Sequence, residues 1–283
     1  MQRRLVLLIC SGLLFWGGCG PEKGEPTPVF EGEKTLAEVL SILKSRTQSS
    51  RPMKANGQCL WQSYSEGEAT KESFAMKIWA NPPGEVYMQG DVAFNPRGIV
   101  LGSNAKEFWL LVKPESSSYS WGLWSEQSAA GGLMLVPKSL DEALGIMKIT
   151  DDKNWSMSRE GDLGVLVKRN DKGGIAKKLY VNRRDYLVRK IEYFGADGKV
   201  VAFVELDEYV GVSKGFYVST SIRIIVRGDE KGEGSASITI NLTSVKPESF
   251  TERRRQAFFN RPPTKGFKHI YKIIDGNMVE QPG

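Results

Sequence analysis

Residues 71–92 read KESFAMKIWANPPGEVYMQGDV. In Lys71 to Ala80 the apolar Phe74, Met76 and Ile78 alternate with Ser73, Ala75, Lys77 and Trp79. After Asn81-Pro-Pro-Gly84, the segment Glu85 to Val92 sets Val86 and Met88 against Tyr87 and Gln89. Period two on both sides of a turn that no helix or central strand tolerates is the pattern of an antiparallel hairpin.

The same period runs through most of the chain. Upstream, Gln58 to Ser65 is a strand candidate. Downstream come Gly98 to Gly102, Lys106 to Lys113 with Phe108, Leu110 and Val112 on one side, and Tyr119 to Trp124. A second series covers Trp155–Glu160, Leu163–Arg169, Ile175–Asn182, Tyr186–Phe194, Lys199–Tyr209, Phe216–Arg227 and Ser235–Val245, punctuated by hairpin-grade turns such as Asp171-Lys-Gly-Gly174 and Ala196-Asp-Gly198. About a dozen strands at this spacing, without interleaved helices, exclude a parallel α/β fold. One face reads as apolar and the other as polar with tryptophan, so such a sheet must close, fold into a sandwich or wrap around something.

Helical period occurs in few places. Thr35 with Glu38 forms a capping-box signature ahead of the stripe Leu36, Val39, Leu40 and Leu43, with polar Ser45 to Lys54 ending the helix. Ser139 with Glu142 repeats the signature, and Gly145 is placed to stop a short helix carrying Leu140 and Leu144. After Pro247 the character changes: Arg253 to Arg255 precede Phe258 and Phe259. This reads as a short helix with a solvated cationic face whose phenylalanines dock on the sheet, followed by an irregular tail.

The N-terminus reads as a targeting signal. Arg3 and Arg4 precede the apolar run Leu5 to Phe15, too short for the roughly 18–20 residues of a membrane-spanning helix, and Gly17 and Gly18 precede Cys19. Residues 1–18 are expected to be a lipoprotein signal peptide, 19–34 a lipidated cysteine and flexible tether, 35–246 the folded domain and 247–283 a C-terminal extension.

Composition narrows the chemistry. The 283 residues carry 39 basic and 33 acidic side chains, and removing Arg3 and Arg4 with the signal leaves 37 against 33, too even to indicate nucleic acid. Of three cysteines only Cys59 would remain in the folded domain beyond the lipid site. It cannot form an internal disulfide and reads as a buried small hydrophobe. His269 is the sole histidine, and the acidic pairs Asp151-Asp152 and Asp207-Glu208 read as solvated carboxylates at strand ends. No catalytic residue, metal site or cofactor is therefore expected.

A cysteine preceded by small residues, one helix, the Asn-Pro-Pro-Gly turn, Glu107-Phe-Trp-Leu-Leu, Tyr119-Ser-Trp-Gly122, a short helix, then Asp197-Gly198 through Tyr209 and Gly215 before Ser221-Ile-Arg-Ile-Ile: this order resembles the LolA/LolB-like superfamily of periplasmic carriers and outer-membrane lipoprotein receptors. The resemblance spans most of residues 35–245. It implies a mainly β (α+β) fold in which a wide curved antiparallel sheet forms an unclosed half-barrel lidded by two or three helices, its apolar concave side accepting acyl chains. It makes Phe94 to Ile99 a candidate for the receptor's protruding loop. It also implies an exported protein, lipid-anchored to a bacterial envelope membrane and facing the periplasm from the outer membrane.

The function expected is then non-enzymatic. A membrane-anchored half-barrel would bind acyl chains, a lipoprotein or another apolar ligand through Phe74, Met76, Ile78, Val86, Met88, Phe108, Leu110 and Val112. The alternative is a structural or partner-binding envelope lipoprotein with a filled core. In that case outward-facing Trp79, Trp109, Trp121 and Trp124 would be interface candidates, unless they serve cross-strand packing.

Overall fold

The computed structural model describes residues 26–65, 67–92, 95–113, 117–127, 135–149, 153–228 and 234–282. Among them, strands β1 (Met53–Ser65), β2 (Glu68–Asn81), β3 (Glu85–Val92), β4 (Asn95–Ser103), β5 (Glu107–Val112) and β6 (Ser118–Leu123) form one antiparallel meander. A second comprises β7 (Trp155–Glu160), β8 (Leu163–Arg169), β9 (Ile175–Asn182), β10 (Val188–Phe194), β11 (Val200–Ser213), β12 (Phe216–Val226) and β13 (Ser235–Pro247). The meanders join through antiparallel β1 and β13, from Met53 opposite Pro247 to Tyr64 opposite Ser235. The resulting single sheet is unclosed, with β7 at one edge.

The other edge departs from expectation. Instead of an irregular tail, the chain after residue 268 adds β14 (His269–Ile274) and β15 (Asn277–Glu280), giving fifteen strands. β14 pairs with β6 in parallel, His269 opposite Ser118, a partner about 150 residues upstream that no local pattern announces. β15 then folds back antiparallel as a short hairpin.

Helix α1 (Leu36–Ser49) begins as read: the Thr35 hydroxyl accepts from the Glu38 N–H, and the Glu38 carboxylate accepts from the Thr35 N–H at 2.7 Å. It continues beyond the expected stop because its polar last turn has tertiary partners. Arg46 donates to the Asp185 and Tyr186 carbonyls, and the Thr47 hydroxyl to the Met147 carbonyl at 2.6 Å. Helix α2 (Leu135–Ala143) starts earlier than expected, so Ser139 lies within it, buried, rather than at its N-terminal boundary. Gly145 does end it, at φ 78°: its N–H reaches the Glu142 carbonyl at 3.1 Å and the Ile146 N–H reaches the Asp141 carbonyl at 3.0 Å, a Schellman closure.

α1 packs on β7 and β12, and α2 on β3, β4, β11 and β12, enclosing the main core against the inner face. Helix α3 (Glu252–Phe259) lies on the opposite, outer face against β3 and β4. There a second core gathers Trp79, Tyr87, Val100, Trp109, Leu111 and Tyr119 beneath Phe258 and Phe259. The face expected to be solvated is thus apolar over β2–β6, because the C-terminal segment covers it. Phe258 stacks on Trp79 at 4.6 Å, the Phe259 carbonyl accepts from the Asn104 side chain at 2.9 Å, and Arg261 lies 4.0 Å over Trp121.

Candidate functional site

The inner face is built two residues at a time. In the β2–β3 register Ile78 lies opposite Met88 and Ala80 opposite Val86, while Phe74 and Met76 face Cys59 and Gly57 of β1. Phe74 fits because Gly90 of β3 leaves it room: a Cβ at position 90 would stand 2.2 Å from the Phe74 ring. Phe74, Met76, Ile78, Val86 and Met88 are each at most 3% exposed, packed in one cluster with Val39, Leu40 and Leu43 of α1, Leu140 and Ala143 of α2 and Leu144 just beyond it.

Leu110 and Val112 are half-buried at the margin of that cluster. Phe108 stands apart, in a small group with Ile273 and Trp124, its ring 4.5 Å from the Trp124 ring. The structure therefore brings seven of the eight residues to one core and separates the eighth. The arrival of β14 explains the separation, since Ile273 takes up the space beside Phe108 and Gly122. Cys19 lies outside the described residues, as do Phe94 of the loop candidate and Asp151-Asp152. The rest of that candidate, from Asn95, is the start of β4.

Sequence reading missed the polar feature of the interior. Glu142, read as a capping residue, turns inward from α2, accepts from Lys177 of β9 at 2.8 Å and from the Tyr193 hydroxyl of β10 at 2.6 Å. Burial and the Glu142 carboxylate push the Tyr193 hydroxyl well above its ordinary range. Burial and the same neighbour push the adjacent Asp141 carboxyl up to about 8, and its Oδ1 has no hydrogen-bond partner. The local signal is ambiguous, because Glu142 stands beside Asp141 in a mixed helix whose Leu140 and Ala143 are buried.

The other titratable groups singled out in the sequence, Cys59, His269 and the Asp207-Glu208 pair, lie apart from one another among the described residues. Cys59 is buried and its thiol is pushed up to about 12 by desolvation, which leaves it inert. His269 is half-exposed with Glu280 at 3.1 Å. Asp207 and Glu208 lie within β11 rather than at its end, with Glu208 at φ 52° and its carbonyl bonded by the Thr220 hydroxyl. Among the described residues no three His, Cys, Asp or Glu side chains gather to hold a metal, and no helix is long and apolar enough to cross a membrane.

The tryptophans read as interface candidates serve internal packing: Trp79 and Trp109 are buried in the outer core, and Trp121 sits opposite Trp109 in the β5–β6 register under Arg261. In the arginine cluster, Arg254 pairs with Glu248 and Arg255 with Glu85, while Arg253 is exposed.

The backbone fold is similar to that of known structures. A domain from Vibrio parahaemolyticus described as an outer membrane lipoprotein-sorting protein domain superposes with a TM-score of 0.52 at 13% identity, covering 80% of this chain and 97% of that one. A LolA superfamily protein from Nitrosomonas europaea follows at 0.47 and 11% identity, covering 78% and 96%. The fold is shared with the Vibrio domain. No protein-family model and no curated relative matches the sequence. At such identities the likeness reaches the backbone alone. What this fold supplies is an open half-barrel whose inner face meets two helices, with α3 on its outer face and β14 and β15 continuing one edge of the sheet.

Proposed function

We propose that this protein is a non-enzymatic envelope lipoprotein, anchored through an acylated Cys19, whose half-barrel takes acyl chains or another apolar ligand between α1, α2 and the inner face of the sheet. The observation that carries the reading is the unclosed apolar sheet lidded by helices held through packing and side-chain hydrogen bonds. Such a lid can shift without breaking a strand pairing. Each methylene transferred to that interior contributes about 0.8 kcal/mol, so affinity for lipid needs no polar motif or cofactor. The likeness to a lipoprotein-sorting domain supports a role in lipoprotein or lipid transfer to the outer membrane.

A second reading, a partner-binding or structural lipoprotein with a filled core, is favoured by the near-complete burial of Phe74, Met76, Ile78, Val86 and Met88 against α1 and α2. Native mass spectrometry of the full chain extracted from bacterial membranes separates the two. Acyl mass on Cys19, co-purifying lipid and displacement of a fluorescent fatty acid are expected. Protein that carries no lipid and displaces no probe points to the filled core. Cys19→Ala should move the protein from the membrane to the soluble fraction.

A further inference from the structure

Beside the first turns of α1, the inner face of β7–β9 opens as a groove of about 240 Å3. Its accessible lining is Met157 of the edge strand with Ser158 and Gly164, over a floor of Val39 of α1, Leu166 of β8, Val181 of β9 and Tyr186 that is at most 3% exposed. Its rim is cationic, with Lys34, Arg159 and Arg183 against one carboxylate, Glu33. That carboxylate holds both guanidinium groups, accepting from Arg159 at 3.2 Å and from Arg183. Glu33 belongs to the segment that leads into α1. Three residues earlier Phe30 donates its N–H to the Arg184 carbonyl at 2.8 Å and packs edge-on against Tyr186 at 5.3 Å. From Pro26 onward the expected tether is therefore docked on the domain, with the Tyr217 hydroxyl donating to the Pro26 carbonyl at 3.4 Å.

We propose that this groove binds a single-chain anionic amphiphile, its chain along Met157 and Gly164 above the buried floor and its head group on Arg183 and Arg159 in place of Glu33. The assignment rests on the acyl-binding reading above and gives it a head-group chemistry. Size decides the number of chains: the volume lies between the ~150 Å3 cavity that takes benzene and the ~300–1,000 Å3 of drug-sized sites. One chain segment fits, and the several chains of a lipoprotein anchor do not. Charge decides the head group, because three cations against one acid leave an excess of two, and paired guanidinium groups match the oxygens of a carboxylate or phosphate. Exchange is easy because Glu33 and Arg159 are 73% and 63% exposed, where an ion pair is weak, while Arg183 at 24% is the inner anchor. A bound head group frees Glu33, so occupancy loosens the segment running back toward Cys19.

Calorimetric titration of the full chain with monomeric decanoate, decyl phosphate and decyltrimethylammonium tests this. Both anions should bind at least tenfold more tightly than the cation. Octanoate to dodecanoate should gain up to about fourfold per methylene until the groove is full. Arg183→Gln should weaken the anions about tenfold and leave the cation unchanged, and Glu33→Gln should tighten the anions severalfold. Circular dichroism and Tm establish that both rim variants fold. The stronger of the two anions identifies a fatty-acid-type or phospholipid-type head group. Equal binding of anion and cation, or an Arg183→Gln variant with unaltered anion affinity, overturns the groove while acyl binding elsewhere survives. Failure of every chain to bind overturns both.

Discussion

Gly90 is where a single hydrogen atom decides the packing of the inner face. Its missing Cβ is the space that the Phe74 ring fills, so Gly90→Ala forces either the ring or β3 to move. A loss of about 1–3 kcal/mol is expected in chemical denaturation, with Phe74→Leu partly rescuing it. Asp141 sets a pH dependence at the same scale. Its folded value of about 8 lies above the ~3.9 of an unfolded aspartate, so between those values the native state holds a proton that the unfolded chain has released. Its contribution is full below about pH 4 and is lost as pH rises toward 8, by at most ~1.4 kcal/mol per pH unit. Thermal unfolding at pH 5, 6.5 and 8 should show a decline that Asp141→Asn flattens; an identical slope in the variant would assign it to other groups. Neither residue was legible beforehand, because the ring beside Gly90 and the burial around Asp141 both come from tertiary packing.

At the scale of elements, signals between residues three or four apart were legible and those between distant residues were not. The Thr35–Glu38 box marks the start of α1 because both partners lie in one turn, and Thr35→Ala should cost about 1 kcal/mol. The same Ser-x-x-Glu spacing at Ser139 misleads, since Glu142 finds Lys177 and Tyr193, 35 and 51 residues away, and α2 extends back to Leu135. α3 was anticipated with its docked phenylalanines, though its placement on the outer face was not. Phe259 is 2% exposed beneath that face, so Phe259→Ala should destabilise by about 3–5 kcal/mol. Limited proteolysis of the variant should then cut first between α3 and β14.

At the scale of the molecule, the two meanders are local but the seam between them is not. β1 and β13 pair residues more than 170 positions apart, and this seam lies at the centre of the sheet. Hydrogen exchange should therefore be slowest along Ala55–Trp61 and Ile238–Leu242 and fastest in the edge strands β7 and β15, because only edge strands expose unpaired backbone groups. Fast exchange at the seam would mean that the halves open as separate units. The same open edge at β7 leaves the groove beside α1 accessible to ligand.

By itself the sequence determined the strands before β14, their alternation, the start of α1 and the stop at Gly145, since period, caps and turns are short-range steric and hydrogen-bond preferences. It also marked Phe74, Met76, Ile78, Val86 and Met88 as facing one way. Only the tertiary structure decided what they face: α2 packed into the half-barrel, the C-terminal chain folded over the outer tryptophans, and Glu33 drawn onto Arg159 and Arg183. Those contacts join residues far apart in the chain, where burial and charge pairing depend on which surfaces the folded topology brings together.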